Sequence, residues 1–206
     1  MRQRRRRASI QTSFHAVDEF VLVTTGPLTN WGWIFKNYPE IIPKVAGIYS
    51  MGGSLSGGNV SPYAEANYYD DPAALAIVLE TRIPFHMISL DLTRQFYFQA
   101  EELRTLQTWA QEPEKGGRAT LRRLSAKMYL DYASKDSALH DPLALLAFFD
   151  PEALEAQWTT ISCHQTGERE GEVYRDPAGF PACIYGLRKR DALMEKLLSS
   201  IEMLGQ

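Results

Sequence analysis

Apolar runs alternate with amphipathic ones from Phe20 onward. Phe20-Val21-Leu22-Val23 is short, continuous and rich in β-branched residues, so it reads as a strand. After Gly26-Pro27, residues Thr29 to Lys36 have helical spacing. Ala46 to Ser50 is a second strand, which runs into Gly52-Gly53-Ser54-Leu55-Ser56-Gly57-Gly58-Asn59 before any helix can begin. Asp71 followed by Pro72 marks a helix start, with the aspartate as N-cap, proline at the first helical position, and the helix reaching Glu80. Phe85 to Leu90 gives a third strand, and Gln99 to Trp109 and Arg118 to Tyr132 give two amphipathic helices around a loop from Glu112 to Gly117.

This β-α-β-α-β-α order predicts an α/β fold, a mostly parallel central sheet flanked by helices, with ligands bound beyond the carboxyl ends of the strands. Downstream, Leu143 to Phe149 is apolar throughout and is expected to be a buried helix. Trp158 to Cys163, Gly171 to Arg175 and Ala182 to Tyr185 are expected strands, and Asp191 to Leu204 a closing helix.

The 206 residues, 45% hydrophobic and 23% charged, suffice for a sizeable core. Residues 1–16 read as a basic, disordered tail around Arg2 and Arg4 to Arg7, and 17–206 as one domain. A net charge of -3 gives no footprint for a nucleic-acid polymer. No apolar run approaches the ~20 residues of a membrane span, and no apolar core follows the arginines as a secretory signal would require. A cytoplasmic protein without a membrane partner is therefore expected. Cys163 and Cys183 lack zinc or CxxC spacing and are expected to be reduced thiols.

The candidate chemistry sits in the segments after strands: Thr24-Thr25-Gly26-Pro27, the loop from Gly52 to Asp71, and His140-Asp141. The long loop carries Asn59, Glu65 and Asn67, whose amides and carboxylate suit sugar hydroxyls that both donate and accept. It is not a P-loop, because Gly58-Asn59-Val60 stands where Gly-Lys-Ser/Thr is needed. The structural alternative is that the glycines only turn the chain while Glu65, Asn67 and Asp71 cap and solvate it; that is the reading adopted for Asp71 alone. Asp141 either caps a helix beginning at Pro142 or binds a hard cation, with His140 beside it as a proton donor. His15 and His86 read as ordinary tail and strand residues.

Taken together, Thr24-Thr25-Gly26-Pro27-Leu28-Thr29-Asn30, Met51-Gly52-Gly53, Gly58-Asn59-Val60-Ser61-Pro62-Tyr63-Ala64-Glu65-Ala66-Asn67, Asp71-Pro72-Ala73-Ala74 and His140-Asp141-Pro142-Leu143-Ala144 resemble the inosine-uridine-preferring nucleoside hydrolases from about Val17 onward. The resemblance implies a calcium-dependent enzyme of purine and pyrimidine salvage that cleaves the N-glycosidic bond of ribonucleosides to free base and ribose, in a homo-oligomer. By motif position, Asn59 and Glu65 would hold the 5′-hydroxyl and Asn67 other ribose hydroxyls. Asp141 and the backbone carbonyl of Thr25 would bind calcium, and His140 would protonate the leaving base. Members of that family open with an Asp-x-Asp-x-x-x-Asp-Asp loop. Here Asp18 and Glu19 are the only acidic residues before Thr25. The expectation is thus an N-terminally truncated nucleoside hydrolase, with a non-catalytic ribose-binding homologue as the alternative.

Overall fold

The structure is a computed structural model that describes residues 17–113, 116–134 and 138–205. The arginine-rich tail expected over residues 1–16, and His15 within it, lie outside the described residues. The chain divides into two compact units, the first formed by residues up to Met87 together with Gln157–Ile184, the second by Ile88–Ala156 together with Tyr185 onward.

The first unit holds most of the sheet. Strand β1 (Phe20–Thr24) leads into helix α1 (Thr29–Asn37), a 3-10 turn (Pro39–Lys44) and β2 (Val45–Met51). After the glycine-rich loop come a short helix α2 (Ala66–Asp70), α3 (Pro72–Glu80) and β3 (Phe85–Ile88). The later strands are β4 (Leu154–Cys163), β5 (Val173–Arg175) and β6 (Phe180–Leu187), and the six lie in the order β1-β2-β3-β6-β4-β5. β1 and β2 are parallel, with Thr24 opposite Ser50, and β3 and β6 are parallel, whereas β4 and β5 form an antiparallel hairpin.

Leu22, Ile48, Phe85 and Met87 of the sheet share a buried core with Phe35 of α1 and Leu75, Val78 and Leu79 of α3. The two helices can pack closely because α1 offers Gly32: a Cβ there would lie 2.9 Å from the Ala74 side chain. Asp71 caps α3 as the sequence predicts, accepting from the Ala74 amide at 3.0 Å, and its other oxygen accepts from the Thr29 hydroxyl at 2.6 Å.

The second unit is helical: α4 (Leu90–Thr93), α5 (Ala100–Ala110), α6 (Gly117–Ala133), α7 (His140–Phe149) and α8 (Arg190–Met203). Three expectations are corrected here. Strand β3 ends at Ile88, and Leu90 opens a helical turn instead of extending the strand. Helix α7 begins at His140, not Pro142, with Leu139 at its N-cap, so Asp141 lies in the first turn and makes no side-chain cap bond. Pro142 is tolerated there because first-turn amides have no intrahelical acceptor. Nor is the helix buried all round: Leu143, Ala144, Leu146 and Ala147 face inward, while Leu145, Phe148 and Phe149 are exposed. Among the described residues no helix is long and apolar enough to cross a membrane.

Candidate functional site

The loop after β2 is built around one buried carboxylate. Glu65, only 2% exposed, is the N-cap of α2. Its Oε1 accepts from the Asn67 amide at 3.0 Å, while its Oε2 accepts from the amides of Gly53 at 2.9 Å and Tyr68 at 3.2 Å. One side chain thereby joins the end of β2 to the start of α2. Burial, with a smaller push from Asp70, holds its carboxyl above the usual range despite three backbone donors that favour the charged form. The capping role weighed as the structural alternative is therefore real for Glu65.

Beneath the loop lies the ring of Tyr68, fully buried, with its hydroxyl donating to Ser50 Oγ at 3.1 Å. Gly52 rests on that ring so closely that a Cβ would lie 2.2 Å from it. Gly58 has a similar constraint, since a Cβ there would meet the Ala64 carbonyl oxygen at 1.9 Å. The same carbonyl accepts from the Asn59 amide at 3.1 Å, closing the loop on itself.

The two asparagines each use half of their amide to hold this shape. Asn59 Oδ1 accepts from the Ala66 amide at 3.0 Å, and Asn67 Nδ2 donates to the Met51 carbonyl at 3.1 Å. Among the described residues no hydrogen bond occupies Asn59 Nδ2 or Asn67 Oδ1. Asn59 is exposed and Asn67 half-buried. The loop thus presents an amide donor and an amide acceptor on a backbone fixed by Glu65, a pairing suited to hydroxyl groups.

Thr25, exposed, follows β1 in the same unit. Its neighbour Thr24 is buried, and the Thr24 hydroxyl has no hydrogen-bond partner among the described residues. In the second unit, His140 Nδ1 lies 2.6 Å from the hydroxyl of the fully buried Thr93. Desolvation, with a smaller contribution from the Arg94 charge, holds the His140 imidazole below its ordinary pKa and so keeps it neutral near pH 7. Asp141 is exposed. Burial, then Glu170 and Glu172, push the Cys163 thiol up to about 12, which disfavours its thiolate at neutral pH.

The donors implied for calcium do not fit that ion among the described residues. Calcium takes six to eight oxygens. Among the described residues no group of three or more His, Cys, Asp or Glu side chains is placed to hold a metal, and the two implied donors are one carbonyl, at Thr25, and one carboxylate, at Asp141.

Asn59, Glu65 and Asn67, singled out from the sequence, are brought together in the first unit, but two residues of the surroundings were missed. Tyr68 is hidden among the chain's many aromatics, and Thr93 follows a strand that was expected to run on to Leu90. The Ser89-Leu90-Asp91 junction was the available signal, since a serine before an acidic first turn is a common helix start.

A sequence model of the inosine-uridine preferring nucleoside hydrolases matches residues 2–192, starting before Val17, from about which the resemblance was expected. The chain is 34% identical over 146 residues to a pyrimidine-specific ribonucleoside hydrolase, RihA, of Shewanella baltica; the match covers 68% of this chain and 45% of that protein. It therefore spans about half the length of the curated relatives it matches. Among solved structures it is similar to a purine-preferring ribonucleoside hydrolase from Gardnerella vaginalis, with TM-score 0.75 and 25% identity, over 90% of this chain and 61% of that one. A plant nucleoside hydrolase has the same fold, with TM-score 0.76 at 23% identity, over 93% of this chain and 64% of that one. The α/β fold, the loop motifs and these likenesses agree: the chain belongs to the inosine-uridine preferring nucleoside hydrolase family.

Proposed function

We propose that the loop from Gly52 to Asp71 binds the ribose of a ribonucleoside, and that the chain serves hydrolysis of the N-glycosidic bond to free base and ribose. The observation that carries this reading is the pair of amide groups left open on a fixed backbone, Asn59 Nδ2 and Asn67 Oδ1. Glu65 accepts three backbone donors, which leaves about one of a carboxylate's roughly four lone-pair positions for a sugar hydroxyl. Holding the sugar matters chemically because the transition state of glycosidic cleavage is oxocarbenium-like, and contacts to ring hydroxyls strengthen as charge develops.

His140 supports departure of the base. In the tautomer where the Thr93 hydroxyl donates to Nδ1, the proton of the neutral ring sits on Nε2, where it can hydrogen-bond to a leaving base. Calcium does not fit the donor set described above, so the reading assigns no role to it. A salvage role and a homo-oligomeric state are carried over from the resemblance alone.

A second reading is a ribonucleoside binder without turnover; among the described residues no group of three or more His, Cys, Asp or Glu side chains is placed to hold a metal. One pair of experiments separates the two. Titration calorimetry of the purified chain with inosine and with uridine should give saturable binding that Asn67→Ala weakens by about tenfold or more, the size of one or two lost hydrogen bonds. Release of reducing sugar from the same nucleosides marks the enzyme. Binding without release marks the binder, and no binding of either nucleoside by the native chain refutes both.

A further inference from the structure

The β4–β5 hairpin carries a group of side chains that the proposed function does not use. At its tip the Arg169 guanidinium lies over the ring of Tyr63, 4.8 Å from the centroid, and the same guanidinium pairs with Glu172. The Glu172 carboxylate is well covered, at 13% exposure, and stands 3.7 Å from His164 Nε2; the His164 ring in turn stacks on Tyr174 at 4.5 Å. Two residues on, Gly171 (φ +79°) packs on the backbone of Tyr69, where a Cβ would lie 2.5 Å from the Tyr69 Cα. Both the left-handed conformation and the close approach call for glycine.

These two contacts bracket Glu65 and Asn67. Tyr63 precedes Glu65 and Asn67, and Tyr69 follows them. We propose that the hairpin tip is a clamp on the loop and that Arg169 is a positioning residue for Asn59 and Asn67, acting through its stack on Tyr63 and its pairing with Glu172. A planar guanidinium suits this task because one face can lie on an aromatic ring while its edge forks onto a carboxylate; a lysine ammonium cannot do both. Tyr63 is itself tied into the loop, since the amides of Tyr63 and Ala64 both donate to Ser61 Oγ, at 3.2 and 3.0 Å. Restraining the ring therefore restrains the turn whose Ala64 carbonyl holds the Asn59 amide. The affinity part of the inference rests on the ribose-binding reading, but the clamp itself does not.

The test uses the full chain, with Arg169→Ala, Tyr63→Leu, the double variant and Arg169→Lys, and with Arg175→Ala as an arginine of the same hairpin whose guanidinium bonds to Thr159 on β4. Hydrogen exchange is followed over residues 58–67, and inosine and uridine affinities are measured by calorimetry. Each single variant should speed exchange in that segment and raise Kd by about twofold to fivefold, the size of an exposed cation–π contact. The double variant should do no more than either single one, because both remove the same contact. Arg169→Lys should behave like the alanine variant, and Arg175→Ala like the native chain. Unchanged exchange in Arg169→Ala with a native-like melt, or additive effects in the double variant, overturns the clamp while leaving the ribose reading untouched. Faster exchange in a chain whose native form binds neither nucleoside upholds the clamp and refutes the ribose reading.

Discussion

His140 Nδ1 and the Thr93 hydroxyl are 2.6 Å apart, and Thr93 is wholly buried, so the imidazole is held against a neutral partner in a half-dry setting. That setting lowers its pKa, through desolvation first and Arg94 second. The unfolded chain therefore binds this proton more readily than the folded one, and the contribution of neutral His140 is complete above the unfolded value near 6.5. It is lost as pH falls below that value. His86, also lowered by burial, acts with the same sign. Urea unfolding between about pH 5 and pH 8 should show stability falling toward acid, with a shallower slope in His140→Gln.

Glu65 acts with the opposite sign. Burial raises its pKa, so the folded chain binds the proton more readily, and its charged form subtracts stability as pH rises past the ordinary value of 4.5. The carboxylate is nevertheless needed, because three backbone amides end on it. Glu65→Ala leaves those donors without a partner in a site that is 2% exposed, and should cost about 2–4 kcal/mol in urea unfolding. Glu65→Gln keeps one acceptor oxygen and should fall between the alanine variant and the native chain.

How much of this was legible in the sequence depends on how local each signal is. The Asp71-Pro72 helix start was readable because capping needs only neighbouring residues, and the parallel sheet followed from the order of elements. The Glu65 network was not readable, since its partners Gly53 and Tyr68 are set by where the loop returns to β2. Leu145, Phe148 and Phe149 were misread as buried because an apolar run carries no mark of which face a neighbour covers. The Arg169–Tyr63 stack joins residues from distant parts of the chain, and neither is distinctive alone.

The cysteines give a chemical test of the packing around β4 and β6. Cys183 is 1% exposed, and the half-buried Cys163 has its thiol pushed up to about 12. Because the thiolate is the reactive form, both should resist a disulfide reagent at pH 8 in the native chain and react fully in denaturant. Prompt reaction of one thiol under native conditions would contradict this burial.

The strictest steric test of the loop is Gly58→Ala. Its Cβ would sit 1.9 Å from the Ala64 carbonyl oxygen, which is backbone and cannot swing aside like the end of a long side chain. That carbonyl accepts from the Asn59 amide, so relief of the overlap must open the turn that orients Asn59. A cost of about 1–3 kcal/mol is expected, together with faster exchange at Asn59 and weaker ribonucleoside binding. Gly26→Ala provides the contrast, because a Cβ there meets nothing within 4 Å, and its stability should stay within about 0.5 kcal/mol of the native chain. Equal melting and equal affinity for the two variants would mean that the turn between Gly58 and Ala64 does not set the position of Asn59.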